Sequence, residues 1–176
     1  MNEDSEGNLW LGMRGTGLRI GADKWYKNNS KDPNSLSNDQ VFSIYRDRKG
    51  RMWLGTFGGG LNLAVKTKDG YQFRHFLQDN YGEKRIRVIE EDKNGRMWVG
   101  TNNGIYIFHP DSLIASPENY IIYNHVNGTF PNNEIRCLMN DHEGNMWIGT
   151  AGAGFAVCQP EGDYQHLTFN CYDIKD

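Results

Sequence analysis

The chain has 176 residues, 38% hydrophobic and 12% aromatic, enough for one ordinary core; its 21 glycines follow no triplet period, and its aromatic content excludes a disordered chain. Lys and Arg number 19 against 22 Asp and Glu, a formal net charge of -3, and the short patches RMW and KRIRV make no basic nucleic-acid stripe. No apolar run approaches the ~18–20 residues of a membrane span, and MNEDSEGNLW is acidic and polar where the apolar stretch of a signal peptide would sit.

In chain order, the first predicted element is a turn, DSEG (Asp4–Gly7), followed by the strand NLWLG. No strand is expected before Asp4, so the first unit, about 1–28, is read as lacking its first strand. The second unit, about 38–77, holds a strand before Asp47, the turn DRKG, the strand RMWLGT, a glycine turn at Gly58–Gly60 and a further strand from Leu61. The third, about 84–125, is the most regular. KRIRVIEED is a strand, DKNG a turn, RMWVGT a second strand around Trp98, NNG a turn, IYIFH a third strand and NYIIYNH a fourth, after an excursion containing Pro110. The fourth, about 133–171, repeats the plan with HLTFN as its last strand, and CYDIKD offers no first strand to close a ring.

The units share one frame, D-x-x-G-x-x-W-x-G. Its Trp recurs at Trp10, Trp53, Trp98 and Trp147, at intervals of 43, 45 and 49 residues. A period of that size marks an array of supersecondary units. In the frame, Asp4, Asp47, Asp92 and Asp141 suit the first position of a type I turn, where the carboxylate accepts turn N–H bonds. Gly7, Gly50, Gly95 and Gly144 suit the left-handed position that follows. A glycine-rich stretch beside a charged turn also fits a phosphate-cradling loop, but a catalytic loop is needed once and this motif occurs in every unit. Four short antiparallel strands per unit, apolar on both faces, need cover on both sides, which neighbouring units of a radial array provide. The predicted fold is therefore all-β, with β-propeller blades of four antiparallel strands, about four of them, as a fragment of a larger ring. Each Trp is expected between adjacent blades. The signatures of WD40 and kelch blades are not seen, the Asp box of sialidases sets its Asp two residues before Gly rather than three, and a β-sandwich does not require this recurrence.

With these residues in view, the repeats resemble those of the two-component regulator propeller family, found in the periplasmic sensor region of hybrid two-component regulators of Bacteroidetes. The match is fullest over Asn38–Leu61, NDQVFSIYRDRKGRMWLGTFGGGL. The resemblance implies a periplasmic, non-catalytic ectodomain segment whose parent carries two propellers, an immunoglobulin-like domain, a membrane helix and a histidine kinase. It implies oligosaccharide signals, with the rest of the sensor ectodomain as a further partner.

Ligands of propellers usually bind at the end of the ring that carries the loops between strands two and three and between blades. Phe57, Asn102 and Asn103 lie in such loops, as do Tyr81, Phe130, Asn132 and Asn133; aromatic platforms with a few amides suit sugar recognition. Arg87 and Arg136 both stand five positions before their repeat's Asp, where the second repeat has Phe42. That places them near the upstream end of an innermost strand, where two guanidiniums can hold an anionic group or pair with acids such as Glu134 or Glu90. No cofactor or metal is expected: His75, His109, His125, His142 and His166 show no ligand spacing, and Cys137, Cys158 and Cys171 match no zinc pattern. A hairpin centred near Gly162 would put Cys158 opposite about Gln165 and Cys171 opposite about Gly152, too far apart to bond. Two rival readings are a propeller enzyme, such as a lyase or lactonase, and a protein-interaction scaffold. With no neighbour to cover Trp10 on one side and Trp147 on the other, the chain is expected to form a homodimer through its exposed blade edges, either face to face or as two half-rings completing a ring of about eight blades.

Overall fold

The computed structural model describes residues 1–79, 84–127, 130 and 132–173. Its construction starts at the D-x-x-G turn. In the second repeat this turn joins β5 (Val41–Arg46) to β6 (Met52–Thr56). The Asp47 carbonyl accepts the Gly50 N–H at 2.8 Å, and carboxylate Oδ1 accepts the N–H groups of Lys49 and Arg51 at 3.0 and 2.9 Å. Gly50 holds φ at +78°, a conformation that costs glycine little and a side-chain-bearing residue more. The second carboxylate oxygen, Oδ2, accepts the indole N–H of Trp53 at 3.0 Å. The same indole bond runs from Trp10 to Asp4 (2.9 Å), Trp98 to Asp92 (2.8 Å) and Trp147 to Asp141 (2.9 Å). One carboxylate thus closes the turn and anchors the Trp six residues on, and these bonds compensate the burial of Asp4, Asp47 and Asp92.

Each repeat is a four-stranded antiparallel sheet with its strands in sequence order. The first comprises β1 (Asn2–Glu3), β2 (Leu9–Met13), β3 (Gly17–Ile20) and β4 (Lys24–Tyr26). To β5 and β6 the second adds β7 (Gly60–Thr67) and β8 (Gly70–Phe76). The third has β9 (Ile86–Glu91), β10 (Met97–Thr101), β11 (Gly104–Phe108) and β12 (Ile121–Tyr123), with a short helix α1 (Pro110–Ala115) in the last connection. Proline at the first helical position begins α1, as its missing N–H permits. The fourth has β13 (Ile135–Asn140), β14 (Met146–Thr150), β15 (Phe155–Cys158) and β16 (Asn170–Tyr172). This is the all-β, blade-by-blade fold of a propeller.

Three expectations about strands and register are corrected. The first repeat does not lack its first strand: Asn2 and Glu3 pair with Trp10 and Leu9, a two-residue stub of the six-residue strands elsewhere. The last strand of the fourth repeat is Asn170–Tyr172 rather than HLTFN, because a 3-10 turn at Tyr164–His166 takes up the chain between. Cys171 consequently pairs with Ala156, two residues from Cys158, and not with Gly152. The three cysteines are nevertheless free thiols. Tyr81 lies outside the described residues.

The chain divides into two compact units, Met1–Ile86 and Arg87–Asp176. In the first, Trp10 and Leu18 pack with Val41, Ile44, Met52, Leu54 and Phe73. Trp10 is therefore fully covered by the second repeat, against the expectation that it lies open. In the second, Trp98, Ile105 and Ile107 pack with Ile135, Leu138, Met146, Ile148 and Ala156. The glycine two residues after each of these Trp residues allows the contact. A Cβ on Gly12 would come within 2.6 Å of Val41 Cγ1, and one on Gly100 within 2.7 Å of Ile135 Cγ2.

Candidate ligand-binding edge

The D-x-x-G turns occupy one end of each sheet. The opposite end carries the turn between the second and third strands and the segment that leads into the first. These parts are tied by backbone bonds within each unit: Phe57 N–H to Gln40 C=O at 2.9 Å, Gly104 N–H to Asn133 C=O at 2.8 Å and Ala151 N–H to Glu134 C=O at 2.9 Å. Asn132 reinforces the last of them. Its Oδ1 accepts the Glu134 N–H at 2.7 Å and its Nδ2 donates to the Ala151 carbonyl at 2.7 Å. The edge is therefore held by backbone, and the side chains on it are left to differ.

They do differ, at two repeat positions. Five residues before the Asp stand Phe42, Arg87 and Arg136. Four residues after the Trp stand Arg14, Phe57, Asn102 and Ala151. In the second and fourth sheets the first position is the site of an irregularity: the β5–β6 register shifts between Val41 and Ser43, and the β13–β14 register between Ile135 and Cys137. An inserted residue of this kind bends a strand and re-aims its side chain, and is common beside binding sites.

In the first unit this edge carries two stacked rings between two cations. The Arg14 guanidinium lies 4.6 Å from the Phe42 ring centroid, Phe42 and Phe57 stack at 5.0 Å and 24°, and the Arg85 guanidinium lies 4.9 Å from Phe57. In the second unit, Arg87 and Arg136 converge on one oxygen of Glu134, at 2.9 and 2.8 Å. Arg87 Nε also reaches Asn102 Oδ1 at 3.4 Å. The Arg136 side chain is half exposed, while those of Arg87 and Glu134 are mostly covered. Two guanidiniums share one carboxylate oxygen, and the half-exposed member carries donors for a ligand oxygen.

The sequence-derived candidates thus separate. Arg87, Arg136 and Asn102 share one cluster, and Phe57 belongs to the aromatic row of the other unit. Asn103 is spent on structure: its N–H donates to Thr101 Oγ1 at 2.8 Å and its side chain to Tyr106 Oη at 3.0 Å. Phe130 is no exposed platform, being buried in the core of the second unit. Sequence reasoning passed over Arg14, although it occupies the same repeat position as Phe57 and Asn102, and over Arg85, two residues before Arg87. Lining up the four repeats finds the first; the second shows only through its bridge pairing with Phe57.

The model of the two component regulator propeller matches residues 35–58, 80–103 and 129–152. No curated protein matches the chain by sequence. Among solved structures it is similar to the extracellular domain of BT3049 from B. thetaiotaomicron, described as a hybrid two component system, with a TM-score of 0.75 and 24% identity over 98% of this chain and 22% of the other. It is similar also to the extracellular domain of BT4673 from the same organism, described as a one component system in one structure, with a TM-score of 0.76 and 25% identity over 95% and 24%. A more distant likeness, TM-score 0.66 at 15% identity over 97% and 54%, is to virginiamycin B lyase from Staphylococcus aureus, and reaches the fold alone. The chain spans about a quarter of the length of the two extracellular domains.

Proposed function

We propose, from the match of three of its segments to the two component regulator propeller model, that this chain is a non-catalytic, ligand-reading segment of the periplasmic region of a hybrid two-component sensor histidine kinase, and that its signal is an oligosaccharide. One observation carries this reading beyond the family. The four repeats keep the same Asp, Gly and Trp at one end of each sheet and present different side chains at the other. Chemistry needs one fixed constellation, whereas recognition of an extended, irregular molecule is served by a constant frame that presents varied groups.

Those groups suit a sugar. In the second unit, Asn102 and Arg136 give an acceptor, donors and charge for hydroxyl or carboxylate oxygens. The Arg136 guanidinium, half exposed beside Glu134, suits a uronate carboxylate by bidentate hydrogen bonding.

Calorimetric titration of the chain with neutral and uronate-containing oligosaccharides, with product analysis alongside, tests the reading. Binding of an acidic oligosaccharide without turnover, weakened at least tenfold by Arg136→Ala, is the expected result. Cleaved or eliminated product would overturn it in favour of a propeller enzyme.

A further inference from the structure

The residue four positions after the frame Asp has one task in three of the repeats. Asn8 Nδ2 donates to both carboxylate oxygens of Asp4, at 3.2 and 3.1 Å, Arg51 Nε to Asp47 Oδ2 at 2.6 Å and Asn145 Nδ2 to Asp141 Oδ2 at 2.8 Å. Arg96 holds that position in the third repeat and does something else. The place at Asp92 Oδ2 is taken by the Tyr164 hydroxyl, at 2.6 Å, and Arg96 lies over the Tyr164 ring, its guanidinium carbon 4.1 Å from the centroid. Among the described residues the Arg96 guanidinium makes no hydrogen bond and no ion pair.

Tyr164 reaches Asp92 because the connection from β15 to β16 is long and pinned to the turn of the third repeat. Asn94 Nδ2 donates to the Pro160 carbonyl and to the Tyr164 hydroxyl, each at 2.8 Å, and Lys93 pairs with Glu161 at 3.0 Å. The corresponding connections of the first and second repeats are short turns, from Ile20 to Lys24 and from Thr67 to Gly70. The third repeat has a long connection of its own, through α1. These two connections and Arg96 line a cleft of about 500 Å³, within the ~300–1,000 Å³ of small-molecule sites. Both walls belong to the second unit, and the cleft lies at the D-x-x-G end of its sheets, opposite the end that carries Asn102. Its lining is polar. Arg96, Ser112, Asn119 and Gln165 bring side chains without a hydrogen-bond partner among the described residues. The Asp163 carboxylate, also on the wall, accepts the Gln165 N–H at 2.9 Å and lies 2.7 Å from His166 Nδ1.

We propose that this cleft is a second ligand site, separate from the candidate edge, and that it takes a small carboxylate bearing hydroxyl groups: a sugar acid, free or at the end of a glycan. A guanidinium held by its face against a ring keeps its N–H edge for a planar acceptor with two oxygens, which a carboxylate is and a single hydroxyl is not. A bare carboxylate would leave most of the cleft unused and would stand near the like charge of Asp163. Hydroxyl groups on the same ligand fit both facts. They donate to Asp163, and they both donate to and accept from the amides of Asn119 and Gln165. The site exists because Tyr164 holds Asp92. Without that hydroxyl, Arg96 is free to turn to Asp92 Oδ2 as Arg51 turns to Asp47, so Tyr164 is a positioning residue that acts through Arg96.

Backbone amide shifts of the isotope-labelled chain, followed by NMR during titration with glucuronate, test this. Glucose and acetate are the controls, and a disaccharide ending in glucuronate is the second arm. Saturable shifts are expected at Arg96, Asn119 and Gly162–Gln165, with glucuronate binding about tenfold or more tighter than either control. Tighter binding of the disaccharide assigns the site to a glycan end, and tighter binding of the monosaccharide to the free acid. Arg96→Gln should weaken glucuronate at least tenfold, and Gln165→Ala, at an exposed side chain, about threefold. Tyr164→Phe should weaken it about tenfold although the hydroxyl it removes is turned to Asp92, and circular dichroism with the unfolding midpoint checks that each variant folds. Shifts confined to Asn102, Glu134 and Arg136 would overturn the second site and leave the reading of the edge intact. Glucose binding as tightly as glucuronate would also overturn it, as would an Arg96→Gln chain that binds glucuronate like the unmodified one.

Discussion

Replacing Asp92 with Ala probes how a blade is held together. Asp92 is fully buried, and its carboxylate accepts the N–H groups of Asn94 and Arg96 at 2.9 and 3.0 Å, the Trp98 indole at 2.8 Å and the Tyr164 hydroxyl at 2.6 Å. On its loss the two turn N–H groups can turn to water, but the Trp98 indole is sealed in the core and its donor is orphaned. Tyr164 keeps the Asn94 amide at 2.8 Å, yet its own proton is left only the Pro160 carbonyl, at 3.5 Å. A hydrogen bond to a charged group contributes about 1.5–3 kcal/mol net, so losing the two buried ones should destabilise the chain by about 3–6 kcal/mol. Asp141→Ala removes the same indole bond from Trp147, which is 37% exposed, and water replaces the carboxylate there. That variant should lose much less than Asp92→Ala. Urea unfolding followed by tryptophan fluorescence, with unchanged m-values, reads both. A double-mutant cycle of Asp92→Ala with Trp98→Phe should return a coupling of about 1.5–3 kcal/mol. Equal losses for Asp92→Ala and Asp141→Ala would refute the argument that burial makes the Asp–Trp bond matter.

Trp53→Ala and Trp98→Ala should each cost about 3–5 kcal/mol, as buried Trp truncations do, while Phe57→Ala, losing its contacts with Phe42 and Arg85 at a partly open edge, should cost about 1 kcal/mol by the same denaturant assay. Gly100→Ala should cost about 1–3 kcal/mol, because its Cβ would stand 2.7 Å from the methyls of both Ile135 and Val88, whereas Gly152 has nothing within 4 Å and φ at +78°, so its Ala variant reports backbone strain alone. Burial pushes the Cys158 thiol up to about 12, so under native conditions a thiol reagent should label the exposed Cys137 and Cys171 and reach Cys158 only on unfolding. The Trp147 indole and the Asn145 amide hold Asp141 well below the ordinary carboxylate value of 3.8; in Asp4 burial acts upward, but the bonds from Trp10 and Asn8 outweigh it. Groups depressed in the folded state stabilise it above the unfolded value and lose that contribution as pH falls toward the folded one. Unfolding midpoints should therefore be level above about pH 5 and fall below it, with a shallower acid slope in Asp141→Asn.

Much of the blade was legible from residues because it is made by short-range chemistry. Asp47, Gly50 and the strands around Trp53 announce a hairpin whose turn is closed by its own carboxylate. Repetition of that pattern identified the propeller. The candidate edge was legible in part. Arg87, Arg136 and Asn102 were found by counting from each Asp. That both guanidiniums share one oxygen of Glu134 depends on a segment 47 residues further along than Arg87 and held in place by Asn132.

What the amino-acid sequence alone determined, then, was the frame: the turns, the strand order within a repeat and the position of each Trp. These follow from φ preferences, local carboxylate bonds and alternating apolar residues. Tertiary structure decided the rest. Trp10 is covered because Val41, Met52 and Leu54 of the next repeat reach it, and Trp147 is open for want of such a cover among the described residues. The register of β16 is set by a distant partner too, since the Tyr164 hydroxyl bonds to Asp92 in the neighbouring sheet and draws the intervening chain into a 3-10 turn rather than a tight hairpin. Phe130, set between Thr129 and Pro131 in sequence, is buried in the core, where Phe169 meets it at 4.9 Å. A side chain's cover belongs to residues tens of positions away, and burial energy depends on that cover rather than on the neighbours along the chain.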